Sequence, residues 1–317
     1  MPNTSPAVTN EESLHIALAA ARGGARCDYG QYVVGTANNR DDVRAASELS
    51  AGLKLYLDAT YGRLLVGDLT VWMSHIERWP RNRPLAVHAE GPSLAAVILL
   101  AEFTDRPVHL CHVSRADEIR LIRIAKERGI PITCEVTPHH LFLCEDDIPM
   151  IGEGLHEVRP RLATRADREA LWANLDVVDC FSTDHAPHLP EEKRQKNGPP
   201  GFPGLETALP LLLEAVHEGR LSVDTIIDKM STAPRRIFGL PEQPKTWIEV
   251  DPDELWEIGS NGVHSRCGWT PFTGRQVHGR IRHVVLRGET VFQDGEVLAD
   301  PGTGRNVRQA RSSTRGL

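Results

Sequence analysis

Short apolar or β-branched runs recur along the chain at 29–35, 52–57, 85–88, 108–113, 130–136 and 177–181. Stretches with helical spacing of apolar positions occur at 11–22, 67–79, 93–103, 117–128 and 166–175. Strands separated by single helices predict parallel crossover units, hence an α/β fold built as a doubly wound sheet or a (β/α)8 barrel. For the 117–128 helix, Ser114 is the expected N-cap, with Asp117 three residues on, and Gly129 stands where a C′ glycine belongs. No internal repeat is visible. From 246 onward the pattern changes to short alternating stretches, such as 281–286 and 290–292, with glycine turns between them, which predicts antiparallel sheet. The last stretch, rich in Gly, Ser and Arg, reads as a solvated linker. The expected division is therefore a barrel unit at 1–245, a C-terminal β segment at 246–299 and a tail at 300–317.

Composition narrows the class. A length of 317 residues suits one α/β barrel, and 40% apolar residues can fill a large core. The net charge of −7 gives no basic footprint for nucleic acid or an anionic membrane, which favours a small-molecule substrate. The longest apolar run, at 94–100, is too short to span a bilayer, and the first residues lack the layout of a signal peptide. Six scattered cysteines with no Cys-x-x-Cys pair fit a reduced, cytoplasmic protein.

Ligand-type side chains gather at the carboxyl ends of the predicted strands. "GLKLYL" places Lys54 and Tyr56 on the face opposite Leu53, Leu55 and Leu57; "LAVHAE" ends its strand at His88; "VHLCHVS" delivers Cys111 and His112. "TCEVTPHH" delivers Glu135, His139 and His140, and "FSTDHAPH" delivers Asp184, His185 and His188. In an α/β barrel that face builds the active site. Singly, each has an ordinary reading: a strand histidine is more often a hydrogen-bonded core group, and Cys111, Cys134 and Cys180 could be buried apolar groups, the reading preferred for the last two. An inward-facing lysine is harder to set aside, because a desolvated ammonium costs several kcal/mol unless it is paired or chemically altered. The conjunction of Lys, His, His and Asp at successive strand ends points to one cleft.

The motifs "MPNT", "AGLKLYL", "HAE", "CHVSR", "CEVTPHHLFL", "EVRP", "STDHAPH" and "PPGFPGLET" together resemble the dihydroorotase domain of the animal multifunctional pyrimidine-synthesis proteins, over nearly the whole chain. The resemblance implies a zinc-dependent amidohydrolase on a (β/α)8 barrel that interconverts N-carbamoyl-L-aspartate and dihydroorotate. It implies two zinc ions, or three, with Lys54 carboxylated so that its carbamate bridges two of them. His88 and His112 would bind the outer zinc, Asp184 would bind the inner one and serve as acid/base, and Cys111 and Glu135 would be further metal-contacting positions. Asn3, Arg159 and His188 would grip the substrate carboxylate, backbone at Pro200 and Gly201 would approach the ring, and Thr60 and Tyr61 would form the tip of a closing loop. The implied partners are carbamoyl-phosphate synthetase and aspartate carbamoyltransferase, fused or associated, and a second copy of the domain.

That family carries His-x-His on its first barrel strand, and none of the fourteen histidines here forms such a pair. The opening "MPNT" reads as the turn that follows strand two, so the expectation is a barrel lacking strand one and most of strand two. Met1 is then an internal methionine, the strands at 29–35 and 177–181 are long unpaired edges, and activity of these residues alone is compromised. Two alternatives stand beside this: a related cyclic amidase such as a dihydropyrimidinase or allantoinase, or a non-catalytic amidohydrolase-like scaffold.

Overall fold

In the computed structural model, residues 1–60, 62, 64–259 and 263–308 are described. Six strands form one all-parallel sheet in sequence order: β1 (Val33–Val34), β2 (Leu53–Tyr56), β3 (Leu85–His88), β4 (Val108–Leu110), β5 (Ile132–Val136) and β6 (Cys180–Phe181). The expected helices link them, with Leu69–Arg78, Pro92–Thr104 and Ala116–Glu127 filling successive crossovers from β2 to β5, and Arg165–Ala173 lying between β5 and β6. Every residue of β2, β3 and β4 is buried, as both faces of a parallel sheet must be. Register sets Tyr56 beside His88 and Glu135 beside Cys180, which brings the strand ends to one rim.

Local signals explain most helix starts. Asp68 accepts from the amide of Thr70, and Thr164 forms a reciprocal box with Asp167. The helix after β4 differs from expectation: its N-cap is Arg115, not Ser114. Here the buried Glu118 carboxylate reaches back to the amides of Ser114 and Arg115, at 3.2 Å each, and to that of Gly91 at 2.8 Å. One carboxylate thus satisfies donors from two loops, which a serine hydroxyl could not. Gly129 has φ 76 and ends the helix as the sequence suggests.

The long bare edges anticipated from the sequence are not seen. The ladders of β1 and β6 are two residues long. Val8 accepts from the amide of Val34 at 2.8 Å along the outer side of β1, and Lys229 donates to the carbonyl of Val178 near β6. Among the described residues β1 and β6 do not pair with each other. The tail is also not solvated at its start. Gly302 and Gly304 donate to Ala25 O, Arg305 N donates to Asp28, and Tyr29 bridges Asn306. Residues 309–317 lie outside the described residues.

Strands β7 (Trp247–Glu257), β8 (Gln276–Leu286), β9 (Glu289–Gln293) and β10 (Glu296–Val297) form the expected antiparallel sheet, in the order β10-β9-β8-β7. It is clamped to the Leu205–His217 helix. Glu214 accepts from the amide of His278, and a Cβ on Gly279 would lie 2.7 Å from that of Leu213. Gly279 also has φ 96, a conformation other residues resist. Gly279→Ala should therefore cost about 1–3 kcal/mol in urea unfolding; an unchanged midpoint would show that the two units are not in close contact there.

A short helix, Pro138–Phe142, follows β5. The carbonyl of Pro160 lies 3.1 Å from Nε2 of His140 and can only accept, so Nε2 carries the proton and Nδ1 accepts from the Thr137 hydroxyl at 2.8 Å. Burial lowers the His140 pKa to about 4. The unfolded chain gains a proton on this residue near 6.5 and the folded chain does not, so stability falls as pH drops from about 6.5 towards 4. Urea unfolding should show the wild type losing about 2 kcal/mol more between pH 7 and pH 5 than His140→Asn. Equal losses would mean that His140 protonates freely in the folded protein.

Candidate active site

A cavity of about 420 Å³ opens at the carboxyl rim of the parallel sheet. Asn3, Lys54, Thr60, His88, His112, Arg159, Asp184, His188, Pro200 and Gly201 all line it. Tyr61 lies outside the described residues. His88 and His112 face each other, with Nδ1 of the first 2.9 Å from Nε2 of the second. Nδ1 of His112 is buried without a hydrogen-bond partner. His112 (φ 36) and Asp184 (φ 42) hold left-handed backbone conformations, which cost of order 1–3 kcal/mol each and tend to occur where side-chain placement matters most.

Buried cations in this protein differ in how their charge is compensated. The largest side chains that are almost fully buried include three cations: Arg106, Lys54 and Lys193. The guanidinium of Arg106 donates to the carbonyls of Trp79, Pro80 and Arg83, and Lys193 also meets three carbonyls. Lys54 has no such oxygen cage. Its Nζ donates to the Cys111 thiol at 2.8 Å and lies 5.2 Å from the Tyr56 ring centroid, and no ion pair involves it among the described residues. Burial pushes the Cys111 thiol up to about 12 even beside that amine, so the pair holds no thiolate. Desolvation likewise raises the Asp184 carboxyl above its ordinary range, against the pull of Lys54. Burial drives His112 well below the usual imidazole range, which keeps it neutral and able to ligate.

This donor set fits a metal ion with Lys54 in carbamate form. Addition of carbon dioxide to the neutral Lys54 amine, with loss of a proton, would replace the uncaged cation with an anionic carbamate, and the orphaned Nδ1 of His112 and the facing imidazoles supply nitrogen donors of the kind zinc takes.

Cys111 and Glu135 are placed differently from the cavity residues. Cys111 sits behind Lys54, whereas Glu135 bonds Nε2 of His109 at 3.1 Å. Burial raises the Glu135 pKa, but the hydrogen bond and charge of His109 outweigh it and the net shift is downward. His109, Glu135 and Cys180 form a buried cluster that could hold a metal ion, their ligand atoms lying within 4.8 Å of one another. Cys180, read from the sequence as a buried apolar group, is a member of this cluster, and His109 is the residue that sequence reasoning passed over. Its signal was present, since His109 stands two positions before Cys111 and shares its strand face. His185 also lines the cavity, and its Nδ1 accepts from the amide of Gly204 at 3.1 Å.

No protein-family model matches the chain. The multifunctional protein CAD of Squalus acanthias is 49% identical over 308 residues, which span 97% of this chain and 14% of that protein. The dihydroorotase of Pyrococcus furiosus is 31% identical across 98% of this chain and 76% of its own length. Among solved structures, the inactive dihydroorotase-like domain of a Chaetomium thermophilum CAD-like multifunctional protein superposes with a TM-score of 0.82 at 28% identity, covering 96% of this chain and 86% of that one. The parallel sheet with its surrounding helices accordingly matches the distorted (β/α)8 barrel of the amidohydrolases. The chain belongs to the dihydroorotase family.

Proposed function

We propose that this chain is a dihydroorotase-type domain whose cavity binds N-carbamoyl-L-aspartate and dihydroorotate, and that turnover by these residues alone is weak. The observation that carries the reading is the meeting of Lys54, His88, His112 and Asp184 with Asn3, Arg159 and His188 around one cavity. The first four suit a metal-assisted amide reaction, and the last three suit a substrate carboxylate.

Lys54 as a carbamate, His88, His112 and Asp184 would hold two zinc ions, and the His109–Glu135–Cys180 cluster could hold a third. Zinc, when bound, acidifies a water and polarises the ring carbonyl. The remaining work falls to side chains. Arg159, already shaped by a 2.8 Å bond to Glu157, presents a guanidinium to the substrate carboxylate. Asp184, with its pKa raised by desolvation, is suited to pass a proton to the departing amide nitrogen and to take it back in ring closure. Backbone at Pro200 and Gly201 borders the ring on the other side.

Weak turnover is proposed because the sequence has no His-x-His pair to complete the inner metal. A second reading, a non-catalytic domain, is supported by the likeness to the inactive domain of the Chaetomium protein. Arg159 and His188 in the cavity disfavour a cyclic amidase for neutral rings. Location in the cytoplasm, self-association and work beside carbamoyl-phosphate synthetase and aspartate carbamoyltransferase belong to the same proposal, suggested by the likeness to a multifunctional protein.

Metal content, turnover and ligand binding separate the readings. Purified chain should carry zinc by elemental analysis, and Lys54→Ala should lose most of it; equal metal in both would remove Lys54 from the site. Any turnover of dihydroorotate should fall by roughly 10²–10⁴-fold in Asp184→Asn. Dihydroorotate binding with no turnover would leave the non-catalytic reading, and faster turnover of dihydrouracil would favour the cyclic amidase.

A further inference from the structure

Behind the cavity wall lies Lys193, 2% exposed, within the charged stretch PEEKRQK. Its ammonium donates to three main-chain carbonyls: Glu157 at 2.7 Å, Gly201 at 2.8 Å and Pro199 at 3.2 Å. Two aromatic faces close the cage, with the Phe202 and Trp269 ring centroids each 5.7 Å from Nζ. A buried ammonium needs this kind of enclosure, because carbonyl dipoles and ring faces must replace its water. Burial still lowers its pKa to about 8.

The three acceptors are not a random set. Glu157 orients Arg159 through its carboxylate, while its carbonyl also accepts from the amide of Gly201 at 2.9 Å. Pro199 and Gly201 bracket Pro200, which lines the cavity with Gly201. Trp269, one wall of the cage, donates from its indole to the carbonyl of His188 at 2.9 Å. One cation therefore ties together the segments bearing Arg159, His188 and the Pro200–Gly201 backbone. Space around it is tight: a Cβ on Gly198 would stand 2.1 Å, and one on Gly154 2.8 Å, from the Lys193 carbonyl.

We propose that Lys193 is a positioning residue for substrate-carboxylate recognition, a caged cation that sets the spacing between Arg159, His188 and the Pro199–Gly201 loop without touching the ligand. This rests on the carboxylate-binding reading given above. It predicts an effect on selectivity, whereas a general packing role would weaken all ligands alike.

The test uses the full chain with zinc, comparing wild type with Lys193→Met for binding of dihydroorotate and of dihydrouracil, the same ring without the carboxylate. Lys193→Met should bind dihydroorotate at least tenfold more weakly, with a clearly smaller loss for dihydrouracil, whose ring still meets the loosened Pro200–Gly201 backbone, and with zinc content unchanged. An equal fall for both rings, or no fall, overturns the proposal. Hydrogen exchange provides a ligand-free readout: the Gly201 amide should exchange at least tenfold faster in Lys193→Met while amides of β2 to β5 keep their protection. If wild type binds neither ring, the carboxylate-binding reading fails, and unchanged exchange at Gly201 would separately show that Lys193 does not hold the loop. Lys193→Gln, which can retain part of the carbonyl cage, gives the same comparisons if the methionine variant does not fold, with a smaller loss expected at each readout.

Discussion

An uncaged amine inside a parallel sheet is the constraint around which this rim is arranged. Two other buried cations, Arg106 and Lys193, are each surrounded by three carbonyl oxygens, so their desolvation is offset locally. Lys54 has only a neutral thiol and an aromatic ring. The desolvation of an ammonium in such a place is worth several kcal/mol, more than one hydrogen bond to sulfur returns. A protein with a marginal stability of about 5–15 kcal/mol would not keep that residue for packing alone, since a leucine would fill the space at lower cost. The carboxylation proposed above would resolve the conflict by turning the cation into an anionic carbamate with two oxygen donors.

The neighbouring geometry is consistent with that resolution. His88 and His112 stand nitrogen to nitrogen, His112 leaves Nδ1 without a partner, and Asp184 and His112 both occupy strained backbone conformations. The orphaned nitrogen and the left-handed backbone are unfavourable in isolation, and all three residues line one cavity with Lys54. Left-handed backbone also occurs at Asp105, Arg287 and Asp294, so what sets this rim apart is its combination with facing imidazoles and an unpartnered ring nitrogen, the pattern expected where side-chain placement serves chemistry.

Much of this was legible in the chain itself, for definite physical reasons. Parallel strands are buried on both faces, so a lysine or histidine within such a run stands out against apolar neighbours, and Lys54, His88 and His112 did. The strand and helix order followed from periodicity, and β3 was found to the residue. Other features depended on contacts between segments remote in sequence. Glu118 became the cap because it also serves Gly91 in the preceding loop, which no local pattern reveals. Lys193 sits among Pro, Glu and Lys residues that look solvated, and only the fold shows the carbonyls around it. Cys180 read as core filling and His109 went unnoticed until the register of β4 to β6 brought them to Glu135. The start of the tail looked free because its partners, Ala25, Asp28 and Tyr29, are more than 270 residues away.

The most direct measurement of the carbamate at Lys54 is carbon-13 NMR of the zinc-supplemented chain equilibrated with labelled bicarbonate. A protein-bound carbamate resonance that is present in wild type and absent from Lys54→Arg is the predicted result. Zinc-loaded wild-type protein with no such resonance would contradict it, and would leave the buried Lys54 amine in need of another partner.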